Sequence, residues 1–282
     1  MTKVRIGALG LSVFAVAVLW AGRTAVAEES GKIMTVSAAG GAYPEHQGFK
    51  GFDYVEGAAR LPYRLFVPGG DKPSAGFPLL LYVHGLGSIG SDNVAPLKLS
   101  ARFGTPEFQE KHPCFVLVPQ CPGDKRWIKV KDWAAPFKFS EEPTVPMKML
   151  ITLLSRIVGE YPIDPARIYV GGPSMGGFAT WDIVSRLPDR FAAAFPLCGG
   201  ADAVNAPKLV KLPIWCFHGA KDGTVPVGHS REMIAALKAA GGTPKYTEYP
   251  NAGHNVWDPA LGDTQLFDWL FAQTRTGGTA KR

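Results

Sequence analysis

The sequence predicts an α/β protein in which helices cover both faces of a mostly parallel central sheet. Short apolar runs alternate with stretches of helical periodicity through most of the chain, as in proteins whose strands and helices follow one another. Two of these runs, Phe77–Val83 and Phe115–Pro119, are almost continuously apolar, which indicates strands covered on both faces. A Gly-x-Ser-x-Gly motif over residues 172–176 lies between a strand pattern and a helix pattern, which indicates a sharp strand-to-helix turn.

The predicted elements begin with an antiparallel pair. Phe52–Val55 and Tyr63–Val67 are short apolar segments that we expect to form a hairpin. Met147–Tyr161 has apolar residues at intervals of three and four, the spacing of an amphipathic helix. The remaining strands are expected at 77–83, 115–119, 167–170, 191–197, 213–217 and 245–249, and the remaining helices at 174–187, 229–240 and 264–273.

Composition places the chain among globular proteins. Of its 282 residues, 46% are hydrophobic and 19% are charged, which excludes a disordered or collagen-like chain. The formal net charge is +6, but Lys3, Arg5 and Arg23 contribute to it from a segment without acidic residues. No run of Lys and Arg follows, so we expect no nucleic-acid binding.

The first 27 residues are typical of a secretory signal. Lys3 and Arg5 precede an apolar run over 6–22, and Ala25-Val26-Ala27 provides the small residues that a signal peptidase recognises. We predict cleavage after Ala27, which would make the mature protein secreted or periplasmic, with no stable membrane association. The alternative is an uncleaved membrane anchor, because an apolar run of about 17 residues is just within spanning range.

The rest of the chain is predicted to contain a single α/β domain. No repeat and no linker divides residues 46–275, which lie between an expected flexible lead-in at 28–45 and a loose tail at 276–282. A large cap domain is not expected, because only residues 199–212 separate two successive predicted strands.

Export would permit disulfide bonds, but the sequence favours free thiols. Cys114 and Cys121 flank a predicted strand and would lie about 20 Å apart in extended chain, whereas a disulfide needs Cα atoms within about 7 Å. We therefore expect most of the four cysteines, which include Cys198 and Cys216, to be buried thiols.

Ser174 is the candidate nucleophile. It occupies the centre of Gly172-Pro-Ser-Met-Gly176, and a strand–turn–helix context of this kind exposes a serine hydroxyl at the carboxyl end of a sheet. The following helix presents its N-terminus, whose dipole favours developing negative charge. The alternative for the motif alone is an ordinary glycine-rich turn.

A serine hydroxyl is a weak nucleophile and needs a base that is itself oriented by an acid. In folds with this motif the acid and then the histidine follow the serine, and His254 stands in a turn after the last predicted strand. Asp222 follows the preceding strand and is the candidate acid, with Asp258 as the alternative. We interpret His218, inside the end of a strand, as a buried structural residue, and His229, at the start of a helix, as an exposed one.

Two backbone N–H groups are expected to stabilise the oxyanion that such chemistry produces. One belongs to Met175, the residue after the candidate nucleophile. The other belongs to the loop after strand 77–83, where we assign Leu86, with Gly85 as the alternative. His84 in the same loop is interpreted as a packing and hydrogen-bonding residue.

Several of these segments resemble the α/β-hydrolase superfamily. The resemblance extends over about residues 50–275 and is carried by the turn at 171–177 together with Cys114–Pro122, Phe195–Gly200 and Phe217–Asp222. These segments are similar to secreted esterases of the dienelactone-hydrolase, polyhydroxybutyrate-depolymerase-like and feruloyl/acetylxylan-esterase group, often labelled predicted peptidases of the prolyl-oligopeptidase clan. The resemblance implies an α/β-hydrolase fold and hydrolysis through an acyl-enzyme, without metal or organic cofactor. Serine stands where dienelactone hydrolases have cysteine, so that particular activity is not expected.

We therefore expect a secreted serine carboxylesterase acting on short-chain or aryl esters, either small molecules or acetyl and feruloyl groups attached to a polysaccharide. The alternatives are a serine peptidase of the prolyl-oligopeptidase clan and a non-catalytic binding module that has kept the fold. The chain has no β-propeller segment of the kind that prolyl oligopeptidases carry, and Ser174, Asp222 and His254 are all present. No cluster of His, Cys and carboxylate residues has metal-ligand spacing in the sequence.

The insertion at 122–146 is rich in aromatic residues and follows a central strand. Trp127 and Trp133 are candidate substrate-binding residues, because an indole ring at the edge of an open cleft would stack on a sugar or an aryl group. The alternative is a hydrophobic plug packed on the sheet.

Overall fold

A computed structural model describes residues 32–34 and 43–275 of the chain. These residues form one sheet with helices on both faces. The strands are β1 (Lys32–Met34), β2 (Phe49–Glu56), β3 (Ala59–Phe66), β4 (Phe77–Tyr82), β5 (Phe115–Pro119), β6 (Ile163–Pro173), β7 (Ala193–Leu197), β8 (Trp215–Gly219) and β9 (Lys245–Tyr249). The α-helices are α1 (Leu97–Ser100), α2 (Pro106–Lys111), α3 (Val145–Glu160), α4 (Met175–Arg186), α5 (Gly228–Ala239), α6 (Trp257–Gly262) and α7 (Thr264–Ala272). Short 3-10 helices span Leu86–Ser88, Ala101–Gly104 and Ala203–Leu209.

The sheet is mostly parallel, as predicted. Its strands lie in the order β1-β2-β3-β5-β4-β6-β7-β8-β9. In this order the first three pairs, β1–β2, β2–β3 and β3–β5, are antiparallel. The other five pairs, β5–β4, β4–β6, β6–β7, β7–β8 and β8–β9, are parallel. The expected hairpin is confirmed, with Phe52 opposite Tyr63 in the register of β2 and β3. The parallel part brings the carboxyl ends of six strands to one edge, where ligand sites of such sheets lie.

The central strands are buried on both faces. Every residue of β4 is buried, with Leu79 and Leu81 on one side of the sheet and Leu80 and Tyr82 on the other. Helices α3, α4 and α5 pack on the first side, and α1, α6 and α7 on the second. Burying each large apolar side chain contributes about 1.5–3 kcal/mol to stability. A continuous apolar run is therefore most stable as a strand with helices packed on both faces of the sheet.

Two glycines let the turn after β6 approach the end of β4 closely. A Cβ atom on either Gly172 or Gly176 would lie 1.9 Å from the carbonyl oxygen of Val83. Any side chain there would push the two loops apart, so these glycines set the distance between them. The glycines of the sequence motif therefore serve close packing, as expected.

The expectation of a flexible lead-in at 28–45 is wrong for part of that segment. β1 lies inside it and pairs with β2, from Lys32 opposite Val55 to Met34 opposite Asp53. The physical reason is that the outer edge of β2 offers unpaired N–H and C=O groups, and β1 pairs with three residues of that edge, Asp53 to Val55. The predicted signal at 1–27 and tail at 276–282 lie outside the described residues.

All four cysteines are free and buried, as expected for most of them. Burial raises the pKa of the Cys114, Cys121 and Cys216 thiols to about 12, which keeps them protonated and unreactive near neutral pH.

Over residues 32–34 and 43–275 no helix has both the length and the apolar character needed to cross a bilayer.

Candidate active site

Ser174 lies on the turn between β6 and α4. Its backbone has φ 58° and ψ −121°, a conformation that residues other than glycine rarely adopt and that costs about 1–3 kcal/mol. The turn is held by hydrogen bonds from Ser174 N–H to the Leu197 carbonyl and from Phe178 N–H to the Ser174 carbonyl, at 2.9 and 3.0 Å. The strained strand-to-helix turn is therefore present, and the half-buried Ser174 lines a surface cleft.

The structure brings Ser174, His254 and Asp222 into one hydrogen-bonded chain. The Nε2 atom of His254 lies 2.9 Å from Oγ of Ser174, and its Nδ1 atom lies 2.7 Å from Oδ2 of Asp222. With the proton assigned to Nδ1, His254 donates to Asp222 and accepts from the serine hydroxyl, the arrangement a general base requires. Asp258, the alternative acid, instead accepts a hydrogen bond from Asn255.

Asp222 is held in its ionised form by the groups around it. Burial by itself would raise the pKa of this carboxyl, but hydrogen bonds from His218 and His254 and from the backbone N–H groups of Val225 and Thr224 hold the pKa well below its usual range. The two backbone bonds reach Oδ1 at 2.9 Å each, which leaves Oδ2 for the histidines. An ionised, fixed carboxylate is what orients an imidazole and stabilises its protonated form.

His218 is buried, as expected, but it also touches the candidate acid. Its Nε2 atom lies 2.9 Å from the carbonyl oxygen of Val225 and 3.2 Å from Oδ2 of Asp222. Its Nδ1 atom lies 2.7 Å from Oγ of Ser230, which also accepts a weak hydrogen bond from the Cys216 thiol. Because both partners of Nε2 are acceptors, this nitrogen carries a proton and donates it towards them. The carboxylate of Asp222 therefore lies between two imidazole rings.

The expectation that His229 is exposed is wrong. The residue is only 8% exposed, and its ring contacts Phe178 edge-on, with ring centroids 6.0 Å apart. A Cβ atom on Gly200 would lie 3.2 Å from its Nδ1 atom. The first turn of α5 thus packs against the loop after β7, a tertiary contact that a position near a helix start does not reveal.

The two N–H groups predicted to stabilise an oxyanion both lie in the first turn of a helix, where backbone donors have no partner within the helix. Leu86 begins a 3-10 helix and Met175 begins α4. Across the described part of the chain, neither N–H group donates a hydrogen bond to a protein acceptor. A Cβ atom on Gly85 would lie 3.5 Å from Cβ of Ser174, which shows how closely this loop approaches the serine.

The loop that carries Leu86 is anchored by residues that follow β5. The Cys121 N–H donates to Nε2 of His84 at 2.9 Å, and Nδ1 of His84 lies 2.7 Å from the Gly85 carbonyl. The side-chain amide of Gln120 donates to the Ser88 carbonyl at 3.1 Å. Burial lowers the pKa of His84 to about 4, which keeps its ring neutral and Nε2 free to accept. His84 is therefore the hydrogen-bonding residue that the sequence indicated.

A cleft of about 360 Å³ surrounds Ser174 and His254. Trp257 lines it, and its ring meets that of His254 almost perpendicularly, with centroids 5.6 Å apart. Sequence reasoning missed this residue because α6 is only six residues long and gives no periodic pattern. Its position three residues after the predicted base is the signal that could have identified it.

The assignment of Trp127 to the substrate cleft is wrong. Trp127 is 0% exposed, its indole N–H donates to the His84 carbonyl at 3.3 Å, and it belongs to the core. Trp133 is half-buried and packs edge-on against Phe178, and it does not line the cleft around Ser174. The insertion at 122–146 is thus a hydrophobic plug, because its aromatic rings bury more apolar area against the sheet than an exposed wall would.

One set of donor atoms could in principle hold a metal ion. Ligand atoms of Cys198, Asp222 and His254 lie within 4.8 Å of one another. Burial raises the pKa of the Cys198 thiol, which disfavours the thiolate that metals require, and the other two side chains are hydrogen-bonded to each other. This donor set suits an acid–base pair better than a metal centre.

Comparison with known proteins relates the chain to hydrolases. Residues 67–267 match the phospholipase/carboxylesterase family. A solved thermostable esterase is similar with a TM-score of 0.74 and 35% sequence identity, over 81% of this chain and 64% of that one. The acylamino-acid-releasing enzyme of Arabidopsis thaliana is 27% identical over 140 residues, and the bifunctional acetylxylan esterase/xylanase XynS20E of Neocallimastix patriciarum is 29% identical over 117 residues. These matches cover 34% and 38% of this chain but only 18% and 17% of the relatives, so the chain spans a small part of either protein.

Proposed function

The chain belongs to the phospholipase/carboxylesterase family of α/β-hydrolases, and on that premise we propose that it is a serine carboxylesterase acting on short-chain or aryl esters. The observation that carries the proposal is the hydrogen-bonded chain from Ser174 through His254 to Asp222. Its members come from three different loops at one edge of the sheet, and they are separated by up to 80 positions in sequence. A hydrogen-bonded chain of this order and geometry beside a strained serine does not serve the stability of the fold, which favours a catalytic role.

In the proposed mechanism, Oγ of Ser174 attacks the acyl carbonyl carbon while Nε2 of His254 accepts its proton. The carbonyl oxygen becomes an oxyanion and receives hydrogen bonds from the N–H groups of Leu86 and Met175, each worth about 3–4 kcal/mol of barrier. His254 then returns the proton to the alcohol oxygen, the carbon–oxygen bond breaks, and an acyl-enzyme remains. Water, deprotonated by the same imidazole, releases the acid. Asp222 keeps the imidazole oriented and stabilises its charged form.

The shape of the site supports the proposed substrate class. The cleft around Ser174 is lined by Leu86, Leu99 and Trp257, and within residues 43–275 no cap domain covers it. Such a cleft suits small or aryl esters and esters attached to a polysaccharide, and the acetylxylan esterase among the relatives is consistent with this class. Export belongs to the same proposal, since the first 27 residues have the pattern of a secretory signal.

The proposal is tested first by covalent labelling with a fluorophosphonate and by the Ser174→Ala variant. We expect the wild type to be labelled at Ser174 and to hydrolyse p-nitrophenyl acetate, and the variant to lose labelling and about three or more orders of magnitude in turnover. Ser155→Ala is the matched control, because Ser155 is exposed on α3 and its hydroxyl only donates to the Ile151 carbonyl. Ordinary turnover in Ser174→Ala would overturn the proposal.

A peptidase is the second candidate, because one relative is an acylamino-acid-releasing enzyme. An amide has a poorer leaving group than an ester and demands stronger protonation by His254. We expect kcat/KM for an acetyl ester to exceed that for an acetylated amino-acid amide. The reverse order, lost in Ser174→Ala, would favour the peptidase.

A further inference from the structure

The cleft around Ser174 contains one fixed charge. Lys98, on α1, is the one permanently charged side chain among the described residues that line it, and no carboxylate lines it. The walls beside it include Leu86 and Leu99. An ammonium group at the border of an apolar cleft attracts anionic ligands into the cleft and disfavours cationic ones.

The ammonium group of Lys98 is not engaged within the described residues: it makes no ion pair and no hydrogen bond there. The acid of the same loop, Asp92, accepts instead from the Gln120 amide and from the N–H groups of Val94 and Ala95. By contrast, Lys111 and Lys125 pair with carboxylates. No described carboxylate therefore neutralises the ammonium group of Lys98, which is available to pair with an anion.

The backbone under Lys98 is fixed. Its neighbours Leu97 and Ser100 are buried, and the Ser100 hydroxyl donates to the Pro96 carbonyl at 2.9 Å. The Ser88 hydroxyl donates to the Ala95 carbonyl at 3.2 Å, which connects α1 to the 3-10 helix that begins at Leu86. The backbone position from which the exposed Lys98 side chain extends is therefore set relative to the expected oxyanion site.

The order of the strands in the sheet indicates which part of an ester, the acyl group or the alcohol, lies near Lys98. Ser174 follows β6, Lys98 follows β4 on one side of it, and Trp257 follows β9 on the other side. The proposed mechanism requires the leaving alcohol to lie against His254, on the side of Trp257. We assign the acyl group to the part of the cleft on the β4 side, which Leu86 and Leu99 line.

We propose that Lys98 binds a carboxylate at the far end of the acyl group, so that the preferred substrates are half-esters of dicarboxylic acids. This inference rests on the proposed function, since it uses Ser174 and His254 to define the two halves of the substrate. The apolar walls contact the methylene groups between the two carboxyl carbons, and the ammonium group pairs with the terminal carboxylate.

The test compares phenyl hydrogen adipate with phenyl hexanoate, which have the same acyl length and differ in the terminal carboxylate. We expect the wild type to show a KM about two- to fivefold lower for the adipate. Lys98→Met should abolish the difference by raising KM for the adipate alone, Lys98→Arg should retain most of it, and 0.5 M NaCl should reduce it through screening. Lys148→Met, which removes an exposed lysine on α3 away from the cleft, is the matched control and should change nothing.

Binding to Ser174→Ala, measured by calorimetry, separates this inference from the proposed function. If the inactive variant binds phenyl hydrogen adipate more tightly than phenyl hexanoate, and the added Lys98→Met change removes that preference, Lys98 has the inferred role whatever the turnover. Equal binding of the two esters overturns the inference while leaving the esterase proposal untouched. A Lys98-dependent preference for 4-acetoxybenzoate over phenyl acetate would place the anion on the alcohol side and overturn the assignment to the acyl group.

Discussion

The carboxylate of Asp222 lies between two histidines that have different surroundings. His254 is 20% exposed in its side chain and reaches the serine, whereas His218 is fully buried and reaches the Val225 carbonyl and Ser230. Both ring N–H groups converge on Oδ2 of Asp222. The buried ring therefore helps to fix the acid that orients the base, which a purely structural role does not require.

Replacing His218 should consequently affect turnover as well as stability. His218→Gln should lower kcat of the folded protein by about tenfold, because one hydrogen bond to the acid is weakened, and should leave KM nearly unchanged. His218→Ala should also lower the free energy of unfolding by about 1–3 kcal/mol, because it leaves buried groups without partners. Denaturant titration and steady-state kinetics on the same samples separate the two effects.

His229→Gln is the control for that experiment, because His229 is also buried but makes no hydrogen bond to the Ser174–His254–Asp222 chain. It should change stability without changing kcat. A folded His218→Gln protein with unchanged kcat and an unchanged pH profile would show that His218 acts only in packing.

The residues of the proposed chemistry could be predicted because each follows the end of a recognisable strand. Ser174 stands in a motif with a defined backbone geometry, and Asp222 and His254 follow in the expected order. The orientation of Trp127 could not be predicted, because an aromatic residue in an irregular loop has the same sequence signal whether it packs inward or outward. The same holds for His229, whose burial depends on a contact with the loop after β7.

At the scale of the elements, the ends of β4 and β5 are connected by a neutral histidine. His84 follows β4, accepts from the Cys121 N–H just beyond β5, and its carbonyl accepts from the indole of Trp127. Its pKa is lowered by burial to about 4 from the ordinary value of 6.5. Protonation at Nε2 would remove the acceptor that joins the two strands.

This connection predicts an acid-dependent loss of stability. The unfolded chain takes up a proton at His84 near pH 6.5 and the folded chain only near pH 4, so the stabilisation is complete above 6.5 and is lost as the pH falls towards 4. The free energy of unfolding should fall by up to about 3 kcal/mol over that window on account of His84. Denaturant titrations between pH 7.5 and 4 measure the slope.

His84→Gln should flatten that slope, and His46→Gln, at an exposed histidine before β2, should leave it unchanged. If wild type and His84→Gln lose stability in parallel between pH 6.5 and 4, the folded protein does not hold His84 neutral. Activity serves as a second readout, because the loop with Leu86 depends on the same hydrogen bonds.

The elements with strong patterns were predicted from sequence, and the short ones were not. β5 and β9 have the predicted bounds, and α7 differs by one residue. Continuous apolar residues define β5 and periodic ones define α7, whereas β9 has neither pattern and is bounded by turn-forming residues on both sides. α1, α2 and α6 have six residues or fewer, too short for a periodicity to show. β1 exists through pairing with β2, a tertiary effect that three residues of sequence do not encode.

For the molecule as a whole, access to the site is decided at the carboxyl edge of the sheet. The connection from β7 to β8, all of which the structure describes, contains only the 3-10 helix Ala203–Leu209 and no cap domain. The insertion before α3 packs into the core instead of over the cleft. Since no cap domain lies between these strands in the described part of the chain, we expect the proposed substrate to reach Ser174 directly from solvent.

A cleft of about 360 Å³ that no described cap domain covers predicts a limit on acyl length and no interfacial activation. Methylene groups beyond the cleft remain in water and do not add the roughly 0.8 kcal/mol that each buried one contributes. Across p-nitrophenyl esters from acetate to dodecanoate, we expect kcat/KM to reach its maximum at or below about eight carbons and not to rise for longer chains. The rate should follow a simple saturation curve through the solubility limit of each ester, because no lid has to open at a lipid surface. A jump in rate above that limit, or a preference for chains beyond about ten carbons, would mean that the site acquires a cover in solution.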